Sequence, residues 1–282
     1  MRLHLASGAG NDFLAAVEPD ADPAPELIRA WCRRGLSLGA DGLFVLRRPG
    51  GGDETALVRM THYNADGSPA ELCVNGTRCA ARLAFSLGWA EGEVVVDTGA
   101  GPIWACDAGG GRVTLSVAAA EAPEKVAVAV DGETVAGYRV TVGVPHFVVP
   151  WSGGMADAPL ARLGPPLRRH PAFGTAGANV SWVRWVGRDR FELRTWERGV
   201  EAETLACGSG VLAALAVGLA ADEIDLPVVV RTAGGAELEL ADGSAEGVGE
   251  RWLLTGEARL LGVVEVGEEA AGGPEGKVEW AD

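Results

Sequence analysis

Residues 63–81 read "YNADGSPAELCVNGTRCAA", and residues 197–213 read "ERGVEAETLACGSGVLA". Each passes from a polar, turn-rich stretch through a cysteine into a Gly-containing segment and then an Ala/Leu-rich run. A shift of 134 residues carries Cys73 onto Cys207 and Gly76 onto Gly210. The same shift carries Asp12-Phe13 onto His146-Phe147, and "YNADG" at 63–67 onto "ERGVE" at 197–201. Recurrence at one offset points to two similar halves. Chance in an Ala/Gly/Val-rich chain is the plain alternative.

The runs after the cysteines read as helices over 76–88 and 208–220, and a third helix is expected over 23–34. The second of these, "GSGVLAALAVGLA", is apolar nearly all round, so it belongs inside something. Elsewhere, short alternating segments such as "TALVRM", "EVVVDTG", "YRVTVGV" and "RFELRTW" are parted by Gly, Asp or Pro turns, so strands dominate. Strands wrapped around a central helix satisfy both observations.

The chain of 282 residues is long enough for two domains of roughly 100–150 residues each. No apolar run approaches the ~20 residues that cross a bilayer, and "MRLHLASGAGNDF" has no signal-peptide core, so a cytoplasmic protein with no membrane partner is expected. The formal charge of −15, with no basic run, argues against nucleic acid. Only Lys125 and Lys277 are lysines, and both lie in polar stretches, which argues against a pyridoxal phosphate Schiff base. The five cysteines (32, 73, 79, 106, 207) form no CxxC, and the histidines at 4, 62, 146 and 170 are scattered. Neither a disulfide framework nor a metal site is expected, and no cofactor.

Cys73 and Cys207 both stand just before a predicted helix. The first N–H groups of a helix lack internal acceptors and carry partial positive charge, so a thiol there is expected to have a lowered pKa. The same N–H groups can hold a carboxylate. Cys79 lies six residues on, ~600° around a helix, and so points ~240° away from Cys73. It reads as a small buried hydrophobe, and Cys32 and Cys106 read as structural. If the halves pack about a two-fold axis, the two helix starts face each other and a substrate carbon between them meets a sulfur on each side. One thiolate would then remove an α-proton and the opposite thiol return one. A cysteine hydrolase with His146 as base is a second reading, and buried packing cysteines a third.

Taken in order, "SGAGNDF", "NADGSPAELCVNGTRC", "GVPHFV", "GANVSWV" and "WERGVEAETLACGSG" resemble the diaminopimelate epimerases, over essentially the whole chain. The resemblance implies an α/β (α+β) fold of two pseudo-symmetric domains, each a barrel-like sheet around a central helix, with the active site in the cleft between them. It implies domains of 1–118 plus 260–282 and of 119–259, the strand at 260–266 returning to the first. It implies a cofactor-independent epimerase interconverting LL- and meso-2,6-diaminoheptanedioate in lysine and cell-wall precursor synthesis, with a homodimer possible. Cys73 and Cys207 resemble the thiol pair, and His146 and Glu197 the polar residues flanking the reacting carbon. Asn11, Asn64, Asn179 and Arg198 match residues that grip the amino-acid ends. Val74, Asn75, Gly76, Gly208 and Ser209 match the backbone N–H cradle.

The chain departs from the family pattern in four places. Val74 stands where Gly is usual, Ser7 where His is common and Val144 where Asn is frequent, and one extra residue separates Arg198 from Cys207. If the site needs φ > 0 at position 74, Val is strained there. The same fold hosts proline racemases and phenazine-pathway isomerases, so an epimerase of another amino acid is the alternative. The Gly/Glu-rich sequence after 267 is expected to be mobile.

Overall fold

The computed structural model describes residues 1–49, 57–244 and 250–271, so Lys277 and the last part of the expected C-terminal tail lie outside the described residues. The first half comprises β1 (Arg2–Gly8), β2 (Asn11–Val17), α1 (Pro25–Cys32), β3 (Gly42–Arg47), β4 (Leu57–Asn64), β5 (Pro69–Ala70), α2 (Val74–Ser86), β6 (Glu93–Thr98), β7 (Gly101–Gly109) and β8 (Arg112–Ala118). After β9 (Glu124–Val130) come β10 (Glu133–Val142), β11 (Val144–Pro150), α3 (Leu160–Arg168), β12 (Asn179–Gly187), β13 (Arg190–Glu197) and β14 (Ala202–Thr204). The chain continues through α4 (Gly208–Ala220), β15 (Val228–Thr232), β16 (Glu237–Asp242), β17 (Arg251–Glu257) and β18 (Arg259–Glu265).

The pairings repeat. β1 pairs antiparallel with β2, β2 parallel with β3, β3 antiparallel with β4, and β4 parallel with β6. In the second half β10 pairs antiparallel with β11, β11 parallel with β12, β12 antiparallel with β13, and β13 parallel with β15. β6–β7–β8 and β15–β16–β17 close each half, and β8 pairs with β17. Each half takes one further strand on its first: β9 on β10, and the returning β18 on β1. This is a mixed α/β fold built twice.

Each sheet curls around its second helix because that helix has no face to give to water. From Gly210 to Gly218, α4 is buried at every position. One apolar core runs from Ala6, Leu83 and Leu115 through both inner helices to Leu215 and Leu254. The outer faces of β2 and β3 are covered by α1, through Ile28 and Trp31 on Leu14, Leu43 and Val45. The outer faces of β11 and β12 are covered by α3, through Leu160, Leu163 and Leu167 with Phe147, Val180 and Trp182.

α3 is absent from the helices expected above, because "GPPLR" reads as a breaker. Leucines at i, i+3 and i+7 bury it against the sheet, and Gly164 lets it approach so closely that a Cβ there would lie 2.8 Å from Trp196 Cγ. α2 begins two residues earlier than expected, so Val74 and Asn75 are helical. Within the tail expected to be mobile, residues 268–271 form a turn of 3₁₀ helix whose Ala270 carbonyl accepts from Ser37 Oγ at 3.0 Å. An Ala214→Leu substitution inserts three heavy atoms into the closed second half, where Ala214 is fully buried. It is expected to lower stability by about 1–3 kcal/mol or more, read from urea unfolding.

Candidate active site

Cys73 is the N-cap of α2 and Cys207 the N-cap of α4, both with extended backbone. Cys73 Sγ accepts from Gly76 N at 3.4 Å, and Cys207 Sγ lies 3.6 Å from Ser209 Oγ. The two helix starts meet. A Cβ on Gly208 would lie 2.6 Å from Val74 Cβ, and Asn75 Nδ2 donates to Ala206 O at 3.1 Å. Val74 has the right-handed backbone of the first helical residue, outside the positive-φ set, so it carries no backbone strain. Its side chain fits because the opposite helix begins with glycine.

The expectation of low thiol pKa values is corrected. Burial pushes Cys73 up to about 11 against the pull of the Gly76 N–H, with Glu197 raising it further and Arg78 lowering it. Burial, then Glu197, pushes Cys207 well above an ordinary thiol, while Ser209 and the Gly210 N–H pull it down. Desolvation outweighs the two helix ends. Cys79 is fully buried and pushed up to about 12 by desolvation. Its Sγ would lie 3.1 Å from a Cβ on Gly8, so it packs as core.

Glu197 ends β13 within hydrogen-bond reach of Cys207, and His146 lies near the start of β11. His146, opposite Asn179 in the β11–β12 register, is fully buried; its Nε2 lies 3.5 Å from Asn179 Nδ2, and its Nδ1 has no partner among the described residues. Burial, helped by Arg198, depresses its pKa to about 3, so the ring is neutral at physiological pH. Asn179 Oδ1 accepts from Arg198 N at 2.7 Å, which fixes the amide. Glu197 Oε2 accepts from Thr204 Oγ1 at 2.8 Å, and burial raises its pKa against hydrogen bonds from Thr204 and Cys207.

From the first half, Asn75 Nδ2 also donates to Asn11 Oδ1 at 2.5 Å, and Asn11 Nδ2 donates to Asp41 Oδ2 at 3.1 Å. Asp41 in turn pairs with Arg34 at 2.9 Å and raises the Glu197 pKa from across the site. Asp41, Thr204 and Arg78 were missed from the sequence. Thr204 and Arg78 lie within the quoted motifs, whereas nothing in the local pattern marks Asp41. Asn64 is exposed at the end of β4, where its Nδ2 donates to Ser68 Oγ at 3.0 Å, and no hydrogen bond among the described residues joins it to the other candidates. Among the described residues no group of three or more His, Cys, Asp or Glu could hold a metal ion, and no helix is long and apolar enough to cross a membrane.

The family profile described as diaminopimelate epimerase matches residues 4–121 and 138–260. The chain belongs to the diaminopimelate epimerase family. The diaminopimelate epimerase of Aquifex aeolicus is 36% identical over 224 residues, 76% of this chain and 79% of that protein. The diaminopimelate epimerase of Pseudomonas fluorescens is 32% identical over 92% of this chain and 96% of that one. Among solved structures, a probable proline racemase from Agrobacterium radiobacter matches at a TM-score of 0.71, covering 96% of this chain and 95% of that one at 16% identity. A phenazine biosynthesis protein from Enterococcus faecalis matches at 0.65, covering 94% and 99% at 14% identity. These last two share the fold; membership of the epimerase family makes this chain an isomerase.

In this epimerase, Gly208→Ala is expected to cost about 1–3 kcal/mol by driving a Cβ into Val74, and most of that cost should vanish in a Val74→Gly background. Urea unfolding of the four proteins reads the coupling, and additive costs would contradict the contact. The buried neutral His146 gives a second test. Its folded pKa of about 3 lies below its unfolded 6.5, so in that window the unfolded chain binds more protons. Stability should fall as pH drops through it, by up to about 1.4 kcal/mol per pH unit for one histidine. His62, depressed to about 4, adds with the same sign. His146→Gln should flatten the acid limb, measured by thermal unfolding across pH.

Proposed function

We propose that the chain epimerises LL-2,6-diaminoheptanedioate to the meso form without a cofactor, using Cys73 and Cys207 as a thiolate/thiol pair, in lysine and cell-wall precursor synthesis. The observation that carries the reading is the meeting of two cysteine-capped helix starts across the two halves, at Val74–Gly208 and Asn75–Ala206. A substrate α-carbon held there has one sulfur on each face. The thiolate takes the α-proton and becomes a thiol; the opposite thiol gives its proton to the other face and becomes a thiolate. Atoms and charge balance, and the configuration inverts.

The substrate carboxylate belongs at the N–H groups of Val74, Asn75, Gly76, Gly208 and Ser209, which face negative charge as it develops on deprotonation. His146, neutral and buried, with Asn179 and Glu197, flanks the carbon and tunes Cys207 and the substrate ammonium. Asn11, Asn64 and Arg198 take the remaining polar groups of the substrate, Arg198 suiting a carboxylate. In this reading the halves divided near residues 118 and 260 close over the substrate, and burial of the thiols is the closed, water-excluded condition. An epimerase of the same fold acting on another amino acid is the second reading.

Incubation with LL-diaminopimelate in deuterium oxide should place deuterium at the α-carbon with formation of the meso form. Cys73→Ala and Cys207→Ala should each lower epimerisation by about 10²–10⁴-fold, and Cys79→Ala should change it little. Full activity in either of the first two variants would rule out the two-thiol mechanism, and turnover of a different amino acid in its place would favour the second reading.

A further inference from the structure

The turn that carries Arg198 is held from outside the site. It covers residues 198–201, between β13 and β14, and Glu201 N donates back to the Glu197 carbonyl at 2.9 Å. Glu201 has a φ of 57°, a left-handed conformation that a residue with a side chain adopts at a cost, so its surroundings must fix it. The stretch from Arg198 to Cys207 is also where this chain carries one residue more than the family pattern.

The end of α3 does the holding. Arg168 Nε donates to Glu201 Oε1 at 2.8 Å, and the same oxygen accepts from Gly199 N at 3.3 Å. Arg169 Nη2 donates to Glu201 Oε2 at 2.9 Å. The Arg168 side chain is 15% exposed and that of Arg169 68%, so Arg168 is the shielded partner and Arg169 a rim contact of little weight. Arg168 Nη1 donates to the Ala176 carbonyl at 3.0 Å, and its own carbonyl accepts from Ala178 N at 3.1 Å. A Cβ on Gly177 would lie 2.1 Å from that carbonyl oxygen, so the 174–178 turn is pressed against the helix end. One arginine thus ties two turns. The first leads into Asn179, the second begins with Arg198, and they meet where Asn179 Oδ1 accepts from Arg198 N at 2.7 Å.

The first half has a counterpart. The 134-residue shift carries Arg34, just past α1, onto Arg168. Arg34 pairs with Asp41 at 2.9 Å, and Asp41 Oδ2 accepts from Asn11 Nδ2 at 3.1 Å. Behind each half of the site an arginine at the end of the outer helix therefore holds a carboxylate that in turn holds a site segment. In the second half the pairing also sets charge. Both Glu201 oxygens are engaged by Arg168 and Arg169, and the half-buried Arg198 has no carboxylate partner among the described residues. An arginine left in that condition can pair with a carboxylate that a substrate brings.

We propose that Arg168 and Glu201 form a clasp that positions Asn179 and Arg198 against the substrate and keeps Arg198 free for a substrate carboxylate. Both are positioning residues, acting through the two turns. This deepens the epimerase reading and rests on it for the nature of the substrate.

The test uses the full chain with Arg168→Met, Arg168→Lys and Glu201→Gly, the last removing the carboxylate while suiting the positive φ. Hydrogen–deuterium exchange reads the clasp without substrate. In Arg168→Met and Glu201→Gly, amides of 174–178 and 198–201 should exchange about 10-fold faster, with those of α4 unchanged. KM for LL-diaminopimelate should rise about 10-fold in both, with kcat changed less than about threefold. Arg168→Lys, which can still reach Glu201, should recover much of the loss. In an Arg198→Met background, Arg168→Met should add little, because the group it positions is gone. Circular dichroism checks folding, and if Arg168→Met does not fold, Glu201→Gly supplies the same readings with α3 intact. Unchanged exchange in folded variants, an unchanged KM, or a full-sized Arg168→Met effect in the Arg198→Met background overturns the proposal. A wild type that inverts no amino acid sinks the epimerase reading and the positioning role with it, while exchange still decides whether the clasp holds the turns, so the two failures are distinct.

Discussion

Two helix N-termini pressed against each other are the constraint on which the rest of the molecule depends. Each end carries partial positive charge and unpaired N–H groups, so their approach is unfavourable by itself. The contact of Val74 with Gly208 and the bond from Asn75 to Ala206 O hold them together. Their N–H groups favour negative charge, which in the proposed mechanism comes from a thiolate and a substrate carboxylate. The barrel-like sheets exist, in this sense, to aim two helices. A helix as apolar as α4 can be held in register only by being enclosed, and enclosure is what the repeated strand order provides.

Enclosure has a second consequence. Four groups at the junction are pushed toward the neutral form: Cys73 and Cys207 upward, Glu197 upward and His146 downward. Neutral groups of this kind are poor nucleophiles in isolation, which weighs against the hydrolase reading with His146 as base. In the proposed mechanism they exchange protons with a substrate that brings its own ammonium and carboxylate.

Much of this was legible beforehand, and the failures have physical causes. The 134-residue offset, the inner helices and the alternating strands come from local periodicity and composition. α3 stayed hidden because a Gly-Pro-Pro run has poor intrinsic helix propensity, and only the sheet beneath Leu160, Leu163 and Leu167 overrides it. The direction of the cysteine pKa values was misread for a related reason. A helix N-terminus can be recognised in sequence, whereas the depth at which it is buried cannot. Val74, the most conspicuous departure from the family motif, proves unstrained, because the residue that accommodates it is Gly208, on the other helix.

The sequence by itself determined the repeated halves, the family and which cysteines stand at the starts of the two inner helices, since each is written in order and spacing along one chain. The tertiary structure alone decided that the two helix starts touch, that Asp41 reaches the site, that Asn64 lies exposed and that Arg78 is fully buried and bonds the Glu257 carbonyl. Those facts depend on distance and desolvation between segments as much as 179 residues apart, as Arg78 and Glu257 are. Burial is a property of everything packed around a residue, and no local pattern carries it.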